Sequence, residues 1–305
     1  MLFLAAAAPA ATMQHGDVIG VGDVPGIIIG EPIWQAFPWL RGPTALSAPV
    51  GGVAYGIAAG PNGRFSITTQ SAVLISMDRD FHITSGPFRY GTGIVFDRAG
   101  TLFLHDLDGH LVELDAAGQQ QRTAELGLPD QFVALDLDRD QCTLYVVPFE
   151  PESAIRRFDV CTWTALSDFS ATRVGGGGLR ADRDGTVLAS SGNRILRFSR
   201  TGQVLAEYAF DLGGPIGPFA FDADDGSIWA AAGYRTWKLD LGARHVVAGP
   251  FETQFQILGY GVVDEPRAAL LPVVPPASVP ATDAMWLALL AVALAVASVA
   301  RLPHS

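Results

Sequence analysis

The residues with the clearest chemical potential are aspartates that recur in short clusters. They form three strings, which are DLDRD at 136–140, DRDG at 182–185 and DADDG at 222–226. Carboxylates at alternate positions are typical of calcium loops, but no glutamate follows at the twelfth position. Asp beside Gly is also what a tight hairpin turn requires for its own backbone. The clusters therefore predict turns, and we predict no metal and no other cofactor.

No pattern of catalytic residues stands out. The chain has no His-Glu-x-x-His, no Gly-x-Ser-x-Gly and no phosphate-binding loop. The glycines at 175–178 precede a strand pattern rather than a helix, which favours a flexible connection over a nucleotide cradle. Four histidines of the repeat region are isolated in sequence and are expected at turns or on the surface; they are His82, His105, His110 and His245. We predict no catalytic residue.

The elements that carry these residues repeat along the chain. Each unit reads as an apolar strand ending in Asp, a tight turn, a second strand, another turn and a third strand. Compare GIVFDRAGTLFLHDLDGHLVELDAAGQ from Gly93 with GLRADRDGTVLASSGNRILRFSRTGQ from Gly178. The turn residues are 37, 41, 44 and 41 positions apart, at Gly63, Gly100, Gln141, Gly185 and Gly226. A period near 40 with several short strands predicts the blades of an all-β propeller.

The two ends of the repeat region complement each other. The string ILGYGVVDEPRAAL supplies a first strand and places Arg267 at the turn position, 41 residues after Gly226, but no second strand follows. GDVIGVGDVPGIIIGEP, from Gly16, has outer strands with no first strand before them. Pairing the ends would close the ring and remove open sheet edges. The sequence predicts a six-bladed β-propeller over 16–267, closed by N- and C-terminal strands; a stacked β-solenoid is the competing all-β architecture.

Cys142 and Cys161 are 19 residues apart, and their midpoint falls at Pro151, in the turn between two strands of one unit. In an antiparallel hairpin this symmetry places the two residues opposite each other, within reach of a disulfide. A pair of free thiols is the alternative. A cross-link closing a loop of this length stabilises the fold by about 3 kcal/mol in the chain-entropy model. Such a disulfide also indicates an oxidising compartment.

The segments DQCTLYVV (140–147) and IRRFDVCTWTAL (155–166) closely resemble a recurring blade of secreted bacterial NHL-like propellers, with both cysteines in place. The resemblance implies a surface or periplasmic repeat protein and does not indicate a substrate. Propeller enzymes of the gluconolactonase and streptogramin-lyase kind use His, Glu or a metal on their inner strands. The inner strands predicted here have no Glu, His or Asn before their terminal Asp.

Two further sets of side chains have open interpretations. Trp34, Phe37 and Trp39 lie in the predicted insertion WQAFPWLRGP. They could fill a groove between blades or form a contact site for a carbohydrate or a protein. The other set recurs before an aromatic residue or Leu of the third strand and is expected to be solvated; it comprises Arg157, Arg197 and Lys238.

Both ends of the chain indicate export. Leu2 to Ala11 is a short apolar run, and Ala8-Pro9-Ala10 offers the small residues that signal peptidases prefer, although no Lys or Arg precedes the run. Residues 284–301 predict a transmembrane helix, because 284–300 are uncharged and long enough to cross a thin hydrocarbon core. Four prolines before this segment predict an extended spacer.

The C-terminal motif resembles the IPTL-type sorting signal of Gram-negative bacteria, in which a Pro-Thr-Leu-Ser-rich motif, a Trp, a helix and basic residues follow in order. Here that motif comprises Val279, Pro280, Ala281, Thr282, Asp283, Trp286 and Arg301. The resemblance implies recognition by an exosortase-type enzyme that cuts near the motif and passes the protein to the surface. Ala281-Thr282 replaces the usual Thr-Leu, and a plain single-span anchor is the alternative.

Together these features predict a leader at 1–15, a propeller at 16–267, a Pro-rich spacer with the sorting motif at 268–283, a transmembrane helix at 284–301 and a tail at 302–305. The net charge of −11, with no Lys/Arg cluster, argues against a nucleic-acid partner. We expect an exported binding or structural module, first anchored in the inner membrane and then periplasmic or surface-exposed, whose partner is a surface protein or a polysaccharide. A hydrolase or lyase with its site in the central channel is the alternative.

Overall fold

The computed structural model describes Met13 and residues 15–23, 33–37, 44–47, 54–69, 73–78, 83–87, 91–128, 132–175, 177–253 and 256–266. For the strands at 33–37, 44–47 and 83–87 it gives the backbone alone. Within these ranges, none of the helical structure is long and apolar enough to cross a membrane. The predicted spacer, sorting motif, transmembrane helix and tail lie outside the described residues.

The strands follow one another with short turns between them. The first three are β1 (Val18–Asp23), β2 (Ile33–Phe37) and β3 (Thr44–Ser47). Blade 1 has β4 (Ala54–Ala59), a 3-10 turn at Pro61–Gly63, β5 (Phe65–Thr69), β6 (Val73–Met77) and β7 (Ile83–Pro87). Blade 2 has β8 (Gly91–Phe96), β9 (Leu102–Asp106), β10 (His110–Leu114) and β11 (Gln120–Glu125).

The remaining blades repeat this order. Blade 3 has β12 (Val133–Leu137), β13 (Thr143–Pro148), β14 (Arg156–Asp159) and β15 (Thr164–Leu166). Blade 4 has β16 (Leu179–Ala181), β17 (Val187–Ser191), β18 (Arg194–Phe198) and β19 (Val204–Ala209). Blade 5 has β20 (Phe219–Phe221), β21 (Ile228–Ala232), β22 (Arg235–Asp240) and β23 (His245–Glu252), and the chain then continues to β24 (Gln256–Val262).

These strands form antiparallel four-stranded sheets, one for each of the five blades and a sixth in the order β24-β1-β2-β3, which we term the closing blade. The first strands of successive blades contact one another, and β24 contacts β4, so the sheets are arranged in a ring. The predicted all-β propeller is therefore confirmed. Burial follows the same radial order, since β8 is buried throughout whereas β11 is almost entirely exposed.

The closing blade joins the two ends of the described chain without a covalent link. β24 pairs with β1 over six registered residue pairs, from Val18 with Val262 to Asp23 with Gln256. The amide of Gly16 donates to the carbonyl of Val263 at 3.1 Å, and the amide of Val263 donates to that of Asp17 at 2.9 Å. Gly100 and Asp97 make the same pair of bonds in blade 2. The predicted strand closure is confirmed, with Gly16 in the turn position that the sequence assigned to Arg267, a residue outside the described part.

Glycines on the innermost strands allow these strands to approach one another closely. A Cβ on Gly56 would lie 2.4 Å from the carbonyl oxygen of Thr92, and a Cβ on Gly93 would lie 2.8 Å from that of Val133. Real Cβ atoms do not tolerate these distances, so a side chain at either site would push neighbouring blades apart. Glycine at these two positions therefore allows the innermost strands of neighbouring blades to lie close together.

The predictions for the cysteine pair and for the aromatic segment fare differently against the structure. Cys142 and Cys161 are bonded, with Cα atoms 5.1 Å apart, so the predicted pairing is confirmed. The prediction of an insertion is partly wrong, because Trp34 and Phe37 belong to strand β2, where they pair with Leu46 and Val18. Backbone pairing with β1 and β3 organises this stretch as a blade strand. Trp39 lies outside the described residues.

His15 links the closing blade to its neighbour. Its Nδ1 lies 3.0 Å from Asp264 and its Nε2 lies 2.9 Å from Asp224 of blade 5. Hydrogen bonds to Asp264 and Asp224 raise the pKa of His15 above its ordinary value, against a small opposing effect of burial. The imidazolium therefore bridges two carboxylates where the two ends of the propeller meet.

This bridge should make the stability of the ring depend on pH. Since the pKa of His15 is raised in the folded state, its stabilisation is full below the ordinary value near 6.5 and is lost as the pH rises through the folded value. We expect His15→Gln to lower the melting temperature at pH 5.5 and to have little effect at pH 9. Thermal unfolding of both proteins across this range measures the difference, and an equal difference at both pH values would contradict the bridge.

Candidate functional site

The ring has two chemically different faces. The turns that leave the first strands, at Gly63, Gly100, Gln141, Gly185 and Gly226, share one side, which we call the turn face. All five residues have positive φ, from 63° to 88°, as tight turns of this type require. The hairpins between second and third strands and the crossings between blades form the opposite side, which we call the groove face.

Aspartates on the turn face are engaged in organising the turns. Asp140 accepts from the amides of Cys142 and Thr143, both at 2.8 Å, and Asp97 accepts from the amide of Thr101 at 2.7 Å. Asp222 likewise accepts from the amide of Asp224 at 3.0 Å. These bonds support the turn interpretation of the aspartate strings, because the carboxylates stabilise the backbone of their own hairpins.

Two third-strand cations bind these aspartates, which corrects the expectation that they are simply solvated. Lys238 Nζ lies 2.8 Å from both Asp222 and Asp225. Arg197 pairs in the same way with the carboxylates of Asp182 and Asp184. Burial opposes ionisation of Asp225, but hydrogen bonds from Lys238 and Ser227 outweigh it and lower the pKa to about 2. Arg157 differs, since it donates to the carbonyl of Ser167 at 3.0 Å.

A second group of titratable residues lies on the β9–β10 hairpin. Asp106, Asp108 and His110 each place one donor atom within 4.8 Å of the others, the spacing of a metal site. Asp106 is already engaged, because its Oδ1 accepts from the amide of His110 at 2.8 Å and its Oδ2 lies 3.3 Å from the ring Nδ1. His110 is therefore paired rather than isolated. His105 is buried in the neighbouring core, and burial lowers its pKa to about 4.

A small cavity lies between the first strands at the centre of the ring, among the described residues. Its volume is about 40 Å³, and its lining includes Gly56, Thr92, Val133, Arg180 and Tyr260. This volume holds only a few water molecules.

A buried ion pair spans the interior of the ring. Arg180 of β16 donates through Nε to Glu265 at 2.8 Å and through Nη2 to the carbonyl of Tyr260 at 2.9 Å. The Glu265 oxygen that binds Arg180 also accepts from the amide of Phe221 at 2.8 Å. Blades 4 and 5 and the closing blade therefore meet at one carboxylate whose side chain is fully buried. Neither residue belongs to a motif in the sequence, although Arg180 interrupts an otherwise apolar inner strand.

Removing one partner of this ion pair should destabilise the fold more than replacing both partners. We expect Arg180→Met to lower the free energy of unfolding by about 3–5 kcal/mol, since the Glu265 carboxylate would remain buried without its cation. Arg180→Met combined with Glu265→Leu should recover a large part of that loss. Urea denaturation of both single variants and the double variant provides the cycle. Additive effects of the two single changes would contradict a coupled pair.

The glycine run before β16 shapes the groove face. A Cβ on Gly177, whose φ is +82°, would lie 2.7 Å from the ring of Phe149, and one on Gly175 would lie 2.5 Å from the carbonyl oxygen of Glu150. A Cβ on Gly178 would lie 2.4 Å from the ring of Phe219. The expectation of a flexible connection is therefore wrong, because Gly175 and Gly177 pack against the β13–β14 hairpin beside Phe149, and Gly178 packs against Phe219 of β20.

Phe149 links the channel mouth to an apolar groove of about 420 Å³. The groove lies between blades 4 and 5 and the closing blade, and is formed by the loop 213–218, the β21–β22 hairpin and the start of β24. Among the residues that the structure describes, its lining carries no charged side chain, and Gln256 supplies one amide. On the other side of Phe149, Phe132 lies 6.4 Å away and Tyr55 follows at 4.6 Å from Phe132, as measured between ring centroids.

Another groove, of about 440 Å³, lies between blades 2 and 3. Its lining mixes carboxylates with arginines, including Glu125, Glu150, Glu152, Arg156 and Arg173. Arg156 is engaged with the carbonyl of Leu126 at 2.9 Å. The two grooves thus differ in character, and the apolar one is continuous with the channel mouth.

The structure therefore describes some of the predicted site residues and not others. The disulfide lies at the turn face of blade 3, and Trp34 and Phe37 lie on β2, whereas Trp39 and the sorting motif fall outside the described ranges. Sequence reasoning missed the apolar groove. Its only visible signal is the string GGPIGP at 213–218, which combines turn formers with one apolar residue.

Comparisons with known proteins agree with the architecture. No family model matches the chain, and no curated protein sequence is significantly similar to it. A chain of the nidogen/laminin complex is 14% identical with a TM-score of 0.66, over 82% of this chain and 99% of that chain. Virginiamycin B lyase from Staphylococcus aureus is 14% identical with a TM-score of 0.55, over 76% and 84%. A protein of unknown function from Bacteroides caccae is 11% identical with a TM-score of 0.62, over 82% and 100%. At these identities the likeness establishes a β-propeller and leaves the function open.

Proposed function

We propose that this protein is an exported β-propeller of six blades that acts as a binding module at the cell surface, tethered or sorted through its C-terminal segment. Its recognition surface is the groove face, and its partner is a surface protein or a polysaccharide. The observation that carries the proposal is the groove of about 420 Å³ beside Phe149, which has the volume of a ligand site and a described lining of uncharged side chains.

The chemistry of the two candidate sites favours binding over catalysis. The described lining of the groove offers neither a carboxylate nor an imidazole for proton transfer. In the channel, Arg180 and Glu265 are committed to each other, and the space beside them admits little more than water. A hydrolase or lyase would need a general acid or base free to reach its substrate.

Export is supported by the disulfide, because such bonds persist in oxidising compartments. The apolar N-terminal run and the C-terminal motif agree with this proposal. The exosortase-type enzyme is the processing partner that the motif implies. A protein presented at the surface on a Pro-rich spacer would have its groove face free to meet other macromolecules.

Intact mass and cell fractionation in the native host test the export proposal. We expect a species that lacks the leader and the segment after Pro280, and that gains two hydrogens on reduction of the Cys142–Cys161 bond. Its position should be the periplasm or the cell surface. Full-length protein with free thiols in the cytoplasm would contradict export, and full-length disulfide-bonded protein in the inner membrane would favour a simple anchor over sorting.

The groove is tested with Nile red, a neutral apolar dye. A Cβ on Gly214 would meet no atom within 4 Å, so Gly214→Trp can place an indole in the groove, and Gly214→Ala is the matched control. We expect dye affinity to be kept in the Ala variant and to fall at least about tenfold in the Trp variant, which corresponds to about 1.4 kcal/mol. Phe149→Ala should also weaken binding. Equal affinity in the wild type and the Trp variant would contradict the groove as the site.

A further inference from the structure

The apolar groove is one part of a longer surface on the groove face. The groove between blades 2 and 3, which we call the charged groove, shares the β13–β14 hairpin with it. Phe149 of this hairpin lines the apolar groove, whereas Glu150 and Glu152 line the charged groove. Two grooves of about 420 and 440 Å³ therefore adjoin at a single hairpin.

The chain that precedes β16 holds this hairpin in place. Ser153 and Val174 exchange two backbone hydrogen bonds, at 2.7 and 2.9 Å. Gly175 approaches so closely that a Cβ there would lie 2.8 Å from the Cα of Pro151. A surface whose backbone is fixed before binding loses less conformational entropy when a ligand binds. The hairpin is therefore a preorganised contact between the two grooves.

Two innermost strands are irregular where they reach the channel mouth. The register of β4 against β5 shifts at Tyr55, and the register of β24 against β1 shifts at Leu258. β-bulges often re-aim a side chain next to a functional site. Tyr55 and Leu258 both line the cavity at the channel mouth together with Phe149, and Leu258 also lines the apolar groove. The apolar surface thus continues from the groove to the centre of the ring.

The lining of the apolar groove disfavours a ligand that needs many hydrogen bonds. Its described side chains are uncharged, and Gln256 supplies one amide. A sugar chain carries hydroxyl groups on every residue, and a hydroxyl that is buried without a hydrogen bond costs free energy. An aliphatic or aromatic side chain gains free energy when it is buried in such a groove. The apolar groove is therefore suited to a large apolar side chain beside Phe149.

The charged groove adds side chains of both signs, which include Glu150, Glu152, Arg156 and Arg173. Arg156 donates to the backbone carbonyl of Leu126 at 2.9 Å, so its position is fixed by the backbone. A polypeptide can present apolar groups and charges of both signs within a few residues, which matches this combination of grooves. Because Glu150 and Glu152 are on the same hairpin as Phe149, a basic side chain suits the position next to the apolar one.

We propose that the partner of the groove face is a protein segment that spans both grooves. It places a large apolar side chain against Phe149 in the apolar groove and a basic side chain against Glu150 and Glu152 in the charged groove. This inference rests on the proposed function, in which the apolar groove is the recognition site. It adds the class of macromolecule, which is a protein and not a polysaccharide.

A random peptide library displayed on phage tests the class of partner. The full chain is the target, and the Gly214→Trp variant is used to remove phage that bind elsewhere. We expect the enriched peptides to share a large apolar residue with Lys or Arg a few positions away. A fluorescently labelled synthetic peptide of the enriched sequence then serves as the probe for anisotropy. Its affinity should fall at least about tenfold in Gly214→Trp and be kept in the matched Gly214→Ala variant.

Charge reversal tests the contact with the charged groove. We expect Glu152→Lys to weaken binding of this peptide by about fivefold or more, because it places like charges opposite each other. Replacing the basic residue of the peptide by Glu should reverse the preference, so that the Glu152→Lys variant binds more tightly than the wild type. Asp108→Lys is the matched control, since this exposed carboxylate is on the β9–β10 hairpin, outside both linings. Equal effects of the two lysine variants would overturn the two-groove contact.

Nile red binding separates the failure of this inference from that of the proposed function. If the wild type binds the dye in the groove but no peptide is enriched over the Gly214→Trp variant, the inference is overturned and the proposed function stands. Binding of cellohexaose, a neutral glycan, that is lost in Gly214→Trp would assign the groove to carbohydrate and also overturn the inference. Absence of both dye and peptide binding would overturn the inference together with the proposed function.

Discussion

The pairing of β24 with β1 is the interaction on which the rest of the structure depends. Every other blade is a continuous stretch of chain, whereas the closing blade exists only if two distant segments meet. Without that meeting, β24 and β1 would be open sheet edges with unpaired amides and carbonyls. Gly16 and Asp17 bond to Val263 in the turn after β24 just as Gly100 and Thr101 bond to Asp97 within blade 2. β24 and β1 thus form the equivalent of one hairpin whose two strands come from distant parts of the chain.

Closure of the ring also fixes what the molecule can do. Where the inner strands meet at Gly56 and Gly93, the described residues enclose a cavity of about 40 Å³, and Arg180, which binds Glu265, is part of its lining. Ligand-sized space is left on the groove face, around Phe149, while the turn face is occupied by aspartates bound to their own hairpins and to cations. The two faces are therefore suited to different contacts, and the described chain begins and ends on the turn face.

Much of the architecture could be predicted because it is encoded locally. A strand, a tight turn and a second strand form within a few residues, so Asp-Gly turns at a period near 40 identify blades directly. The disulfide was predictable for the same reason, since Cys142 and Cys161 flank one hairpin and its symmetry aligns them. The strand at Trp34 and Phe37 was not recognised, because prolines and large aromatics concealed a pattern that pairing with β1 and β3 imposes.

The sequence by itself determined the fold class, the strand closure and the disulfide, because each follows from short-range patterns or from complementary ends. Tertiary structure alone decided that Arg180 and Glu265, 85 residues apart, share a buried bond, and that Lys238 and Arg197 bind turn aspartates. It also decided that Gly175, Gly177 and Gly178 pack closely, and that an apolar groove opens beside Phe149. The physical reason is that these features depend on how closely the blades approach one another around the ring. A local sequence pattern does not determine the distances between blades.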